Sequence, residues 1–216
     1  MMIKRCYLII LIACACAMIF AADTNPVRAY LDNPGTDTFS AAVQYLAQMD
    51  KDSSSSMQAK LNLAYIADHE TQRLMDLALS QEKELKPAER FSLANMYLGR
   101  EKYAEAIRLY DMLNKESPKW SCPWRHKGEA LYKSGDYPAA ITSLEMAIET
   151  NEEHYDAYIW YAMALSKLER YQEAKTALDT ALSLDSEEEG SHFDEEFSDD
   201  QLQQLYKDLQ DKLKKL

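Results

Sequence analysis

The sequence predicts an all-α protein built from stacked helical repeats, and two observations carry that prediction. Across 216 residues there are only five Gly and six Pro, while Ala, Leu, Glu, Lys, Gln and Met, which lose least on entering a helix, are plentiful. Three segments, Lys102-Tyr-Ala-Glu-Ala-Ile107, Asp136-Tyr-Pro-Ala-Ala-Ile141 and Arg170-Tyr-Gln-Glu-Ala-Lys175, also recur at intervals of 34 residues, the mark of a chain assembled from one repeated supersecondary unit. A chain of this length can bury a core of ordinary size, as one domain or as a short solenoid with appendages. Acidic residues outnumber basic ones 36 to 24, for a net charge of -12. Such a charge repels a phosphate backbone and argues against nucleic acid as a partner.

The elements follow in chain order. Residues 1–22 read as an export signal, with Lys4 and Arg5 ahead of an uncharged, mostly apolar run of seventeen residues from Cys6 to Ala22. Three fates are open to it: cleavage, retention as an N-terminal anchor, or lipidation. The last arises because Leu11-Ile12-Ala13-Cys14 resembles the lipobox of bacterial lipoproteins, which makes Cys14 the candidate lipidated residue. All three export the body of the chain to the periplasm or cell envelope of a bacterium, with membrane contact only through this segment. Ordinary cleavage near Ala21 or Ala22 removes Cys6, Cys14 and Cys16 and leaves Cys122 as the lone cysteine, so that no internal disulfide forms.

Residues 23–36, with Asn25-Pro26 and Asn33-Pro34-Gly35, read as a flexible tether. Residues 37–86 read as a helical N-terminal part: Phe39, Val43, Leu46 and Ala47 lie at helical spacing, Met57 to Ile66 repeats the theme, and Leu74 to Leu79 does so again. The polar run Ser53–Ser56 suits a helix start near Met57. The span 53–86 admits a degenerate repeat, although it lacks the Tyr and Ala signatures at the expected places.

The repeats themselves occupy 87–120, 121–154 and 155–188. Tyr103, Tyr137 and Tyr171 share the 34-residue spacing, as do Ala106, Ala140 and Ala174, and the small residues Ala94, Gly128 and Ala162. In the middle unit Trp124, Gly128 and Leu131 fall at i, i+4 and i+7 on one helical stripe, followed by Ala140, Leu144 and Ala147. This pattern resembles the tetratricopeptide repeat. The resemblance implies antiparallel helix pairs stacked in a right-handed superhelix, with Gly135-Asp136 as the turn inside the middle pair. Gly128 and Ala140 are small where two helices must approach closely, and Trp124 and Leu144 are large and fill the space between units. Pro118 stands where the family ends a helix; Glu152 and Ser186 depart from it. Lys127 replaces a large apolar residue, and its alkyl stem can cover apolar surface while the ammonium reaches water.

In that family the first helix of each unit lines a concave surface that holds a segment of another polypeptide. The resemblance places Phe91, Asn95, Leu98, Arg125, Glu129, Tyr132, Lys133, Ile159, Met163 and Lys167 in this peptide-binding groove. Arg125, Lys133 and Lys167 favour an acidic segment, whereas Phe91, Leu98, Ile159 and Met163 favour an apolar one. The members that grip the C-terminal carboxylate of heat-shock chaperones do so through Lys, Asn and Arg at fixed positions. Here Asn95 matches, but Phe91 replaces a Lys, and Asp156 and Trp160 stand where Lys and Arg are needed, so that ligand is not supported.

Residues 185–197 read as an acidic linker, with nine carboxylates from Asp185 to Asp200. Within it Asp185, Glu187, Glu189 and Glu196, with Gly190 sixth, follow the ligand spacing of an EF-hand loop, which makes calcium the one cofactor the sequence admits. Residues 198–216 read as a capping helix: Leu202, Leu205, Leu209 and Leu213 form a stripe, Asp199 and Asp200 suit its first turn, and Lys212, Lys214 and Lys215 its last.

Catalysis finds no constellation. His69, His126, His154 and His192 lack zinc-site spacing, and there is no phosphate loop or nucleophile elbow. The sequence thus points to a non-catalytic protein–protein interaction module of the cell envelope, an assembly or scaffold factor. The alternative is a calcium-responsive envelope protein.

Overall fold

A computed structural model describes residues 25–49, 56–185 and 197–215. The export segment with Cys14, and Glu187, Glu189 and Glu196 of the acidic run, lie outside the described residues. Among the described residues there are ten helices and no strand. The chain forms two compact units, Met1–Ser80 and Gln81–Leu216.

The first unit contains α1 (Pro26–Asp32), α2 (Thr36–Met49) and α3 (Ser56–Ser80). Helix α1 stands where the sequence suggested a flexible tether. The Asn25-Pro26 pair that reads as a turn is equally a helix start, because Pro lacks only an N–H that the first turn leaves unused. Asn25 Oδ1 accepts from Val27 N at 2.9 Å, and α1 buries Val27 and Tyr30 against Ala42, Leu46, Ala59 and Ile66. Helix α3 runs unbroken for 25 residues where two helices were expected. Residues 67–73 between the two apolar stretches contain no Gly or Pro to end it. Residues 56–80 are therefore one helix and not a helix pair.

The second unit contains α4 (Pro87–Gly99), α5 (Tyr103–Glu116), α6 (Ser121–Ser134), α7 (Tyr137–Thr150), α8 (Tyr155–Lys167), α9 (Tyr171–Asp185) and α10 (Asp199–Leu213). Helices α4/α5, α6/α7 and α8/α9 are the three antiparallel pairs of the repeat. Each pair closes through the same turn. Lys102 N donates to Tyr97 O at 3.0 Å, Asp136 N to Leu131 O at 2.9 Å and Arg170 N to Leu165 O at 3.0 Å. These six-residue closures need one left-handed residue, and it is Gly135 at φ 93° in the middle pair but Glu101 at φ 59° and Glu169 at φ 61° in the others.

Packing within the middle pair follows the residue sizes. A methyl built on Gly128 would overlap Leu144 Cγ and lie 2.7 Å from its Cδ2, so only Gly lets α6 and α7 approach this closely. Ala140, Leu144 and Ala147 are fully buried beside them. Lys127 behaves as its stem requires: its Nζ lies 5.7 Å from the centre of the Trp124 ring and 2.6 Å from Asp111 Oδ1.

The stack ends in α10. Ser198 and Gln201 cap it reciprocally, with Ser198 N donating to Gln201 Oε1 at 2.8 Å. Leu202 and Leu209 are buried in the same core as Ile159, Leu165, Leu178 and Ala181. An amphipathic helix laid on the open end of a solenoid removes the apolar face that the last repeat would otherwise show to water. Asp185, the first position of the EF-hand-like spacing, is the last residue of α9.

Candidate peptide-binding groove

The first helices of the three pairs, α4, α6 and α8, carry all ten residues that the repeat pattern assigned to the groove. The structure divides them by exposure. Leu98, Arg125, Glu129 and Ile159 are buried; Phe91, Asn95, Tyr132 and Met163 are half-buried; Lys133 and Lys167 are exposed.

At the first repeat, Phe91 belongs to an aromatic cluster. Its ring centre is 4.9 Å from Trp120, 5.1 Å edge-on from His126 and 6.1 Å from Tyr110. Asn95 is engaged by the fold, because the buried Tyr110 hydroxyl donates to its Oδ1 at 2.6 Å. His126 sits half-buried in this cluster. Its Nδ1 lies 2.9 Å from Cys122 O, and since a carbonyl only accepts, Nδ1 carries the proton. Burial, with the nearby Arg125 charge, pushes its pKa down to about 3. His154, just ahead of α8, is pushed down to about 4 by the same two causes. Both imidazoles are neutral at physiological pH.

At the second repeat a buried ion network crosses the groove. Arg125 Nη1 donates to Glu129 Oε2 at 2.8 Å, with side-chain exposures of 5 % and 6 %. Arg125 Nη2 lies 3.8 Å from Asp156 Oδ2 on α8. Lys133 Nζ pairs with Glu129 Oε1 at 2.5 Å and lies 5.2 Å from the centre of the Trp160 ring. Two cations face two carboxylates, so the network is electrically balanced. The i, i+4 placement of Arg125, Glu129 and Lys133 was visible in the sequence; the cross-helix partner Asp156 was not. Of the three groove cations expected to favour an acidic ligand, Arg125 and Lys133 are engaged inside the protein and only Lys167 stands outside the network.

At the third repeat the groove opens. Tyr132 packs on Tyr137 and Trp160, with ring centres 5.4 and 5.3 Å away. The Trp160 indole N–H is buried and meets no acceptor among the described residues. Between α8 and α10 lies a cleft of about 440 Å³ lined by Ile159, Met163, Phe197, Leu202 and Leu205, with Asp200, Gln201, Gln204 and Asp208 as its polar side. Phe197 packs edge-on against Trp160 at 5.2 Å. The repeat pattern could not place Phe197 or Leu205 here, because both lie beyond the last repeat; the available signal was the Leu202, Leu205, Leu209 stripe. A second cavity of about 470 Å³ lies between α9 and α10, with Leu182, Leu202 and Tyr206 in its wall.

Three helix hairpins at a 34-residue repeat, with their first helices forming one surface and an amphipathic helix closing the end, define a helical-repeat fold. Residues 131–190 match the family model described as tetratricopeptide repeat. Among curated proteins, Stress-induced-phosphoprotein 1 of Caenorhabditis elegans is 30% identical over 105 residues, which is 49% of this chain and 26% of that protein, so the chain spans about a quarter of its relative's length. Among solved structures, the TPR2B domain of yeast Sti1 in its pHsp70 complex is similar with a TM-score of 0.52 and 25% identity, covering 58% of this chain and 96% of that one. The first TPR of Spaghetti (RPAP3), bound to the HSP90 peptide SRMEEVD, gives a TM-score of 0.51 at 20% identity, covering 59% and 93%. Residues 131–190 thus carry the tetratricopeptide-repeat signature, and the helix pairs of the second unit have the fold of known TPR domains.

Proposed function

We propose that the chain holds a segment of another protein in the groove of α4, α6 and α8, as a non-catalytic assembly or scaffold factor of the bacterial cell envelope. The observation that carries this reading is the row of half-buried side chains, Phe91, Asn95, Tyr132 and Met163, presented along the first helices and ending in the open cleft against α10. Surfaces of this kind recognise polypeptide by shape and scattered anchors and not by a reactive group. Arg125, Glu129 and Lys133 are tied into one ion network, which suits recognition better than proton transfer. The similar Sti1 and RPAP3 domains are complexed with pHsp70 and with an HSP90 peptide, and this favours a polypeptide ligand here too. The identity of that ligand differs on our reading, because Phe91, Asp156 and Trp160 replace the cations that grip a chaperone tail. Export rests on Lys4, Arg5 and the apolar run Cys6–Ala22.

Lysine-reactive cross-linking in the native cell, followed by mass spectrometry, tests the reading. Lys133 and Lys167 are exposed amines at the groove, and the expected result is one envelope protein joined specifically to them. The intact mass of the same sample reports whether the N-terminal segment is cleaved or Cys14 lipidated. Recovery of cytoplasmic proteins alone, or of no specific adduct, contradicts the proposal.

A further inference from the structure

We infer that the cleft between α8 and α10 selects a basic amphipathic segment, one with an apolar stripe flanked by Lys or Arg, and not an acidic one. The inference rests on the groove reading above and gives its ligand a chemistry.

The floor of the cleft is apolar: Ile159 and Met163 come from α8, and Phe197, Leu202 and Leu205 from the C-terminal element. Met163 and Leu205 are only half covered, so a segment laid along the cleft removes further apolar surface from water, which is where its affinity arises. The rim decides the sign of charge. Asp200 and Asp208 line it, both exposed, and among the described residues no Lys or Arg does. Asp208 accepts from the Gln204 amide at 2.7 Å, a neutral partner that leaves its charge in place. Of the groove cations, Lys167 lies one turn beyond Met163 on α8 and is not among the residues that line the cleft. Arg125 and Lys133 are balanced by Glu129 and Asp156. The sequence ahead of Phe197 adds charge of the same sign, with Glu187, Glu188, Glu189, Asp194, Glu195 and Glu196. That run is therefore no complement to the rim. An acidic ligand would meet uncompensated carboxylates, whereas Lys or Arg beside an apolar stripe would meet both the floor and the rim with complementary chemistry. The α8–α10 cleft is an amphipathic-helix site with a cation preference.

The test uses the full mature chain and three fluorescent peptides, followed by polarisation. One has Leu at i, i+3, i+4 and i+7 with Lys on the remaining face; the second carries Glu in place of Lys; the third is a scramble of the first without the stripe. The first peptide is expected to bind at least about tenfold more tightly than either of the others. The double variant Asp200→Asn, Asp208→Asn, which changes only exposed side chains, is expected to weaken it about three- to tenfold and to flatten its salt dependence, as loss of two exposed ion pairs implies. Met163→Lys, which places a charge on the floor, is expected to weaken it further, with circular dichroism confirming the fold. Equal binding of the scramble would mean general attraction to an acidic protein and would overturn the inference. Preference for the Glu peptide would overturn it while leaving the groove reading standing. No binding of any peptide, or a dimer by sedimentation that covers the cleft, would overturn both.

Discussion

Replacing Gly128 by Ala tests the close approach on which the repeat geometry rests. The added methyl would overlap Leu144 Cγ and lie 2.7 Å from Cδ2 and 3.2 Å from Cδ1, against a comfortable carbon–carbon separation of about 3.5–4.0 Å. Leu144 is fully buried and must shift by roughly 1 Å or change rotamer, which in a close-packed core costs about 1–3 kcal/mol. Ala recovers about 1 kcal/mol of helix propensity over Gly. The expected net loss is thus on the order of 0–2 kcal/mol. Gly99 supplies the control: it is also helical, but a methyl there meets nothing within 4 Å, so Gly99→Ala should stabilise by about 0.5–1 kcal/mol. The assay is urea denaturation followed by tryptophan fluorescence. Trp120, Trp124 and Trp160 are the three tryptophans of the chain and all lie in the second unit, so the signal reports the repeats alone. In a cycle with Leu144→Ala, itself worth about 2–5 kcal/mol, the double variant should be less damaged than the sum by about 1–2 kcal/mol, because the new methyl enters the space that Leu144 vacates. Stabilisation by Gly128→Ala, as at an open helical position, would refute the reasoning.

Four further expectations follow from the same structure. Glu101→Gly and Glu169→Gly each relieve a left-handed residue that carries a side chain and should raise stability by about 0.5–1 kcal/mol in the same urea assay, whereas Gly135→Ala should lower it. Arg125→Met leaves Glu129 buried with Lys133 as its remaining cation and should cost about 3–5 kcal/mol, with much of that recovered when Glu129→Leu is added; thermal melts of the two variants check it. His126 and His154 have folded pKa values near 3 and 4, below the ordinary 6.5, so as pH falls the unfolded chain takes up protons first. Their neutral forms are retained without penalty above about pH 6.5, and below it stability declines toward pH 3–4 by up to about 1.4 kcal/mol per pH unit for each imidazole. Urea midpoints at pH 7 and 5, with and without His126→Phe, should show that slope and its reduction. Finally, calorimetry with millimolar calcium should release no saturable heat if residues 185–197 act as an acidic linker; one-site binding would instead establish the EF-hand reading.

The repeat region was legible because its signals are local and periodic. Tyr103, Tyr137 and Tyr171 fixed the register, and Gly128 announced the close contact with Leu144 by its size alone. All ten groove residues fall on first helices. What the sequence concealed depends on contacts between elements. Leu98 and Ile159 were assigned to a surface and are buried, since their neighbours across helices decide that. Arg125 reads as a free groove cation until Glu129 and Asp156 are placed around it. The left-handed turn residue is obvious as Gly135 and invisible as Glu101 and Glu169, where only the repeat period reveals it. In the first unit, Asn25-Pro26 is ambiguous between turn and helix start, and packing of Val27 and Tyr30 settles it. The cleft beside α10 was hidden because Phe197 and Leu205 belong to the capping element and not to a repeat.

The measurement that bears most directly on the groove as the binding surface is site-specific photo-cross-linking in the native cell, with the photoreactive residue at Tyr132 or Met163 on the first helices and, in parallel, at the exposed Thr142 or Thr176 on the second helices. The account predicts one discrete adduct from Tyr132 and Met163 and none from Thr142 or Thr176. Adducts from the second-helix positions alone, or the same adducts from all four, would contradict it.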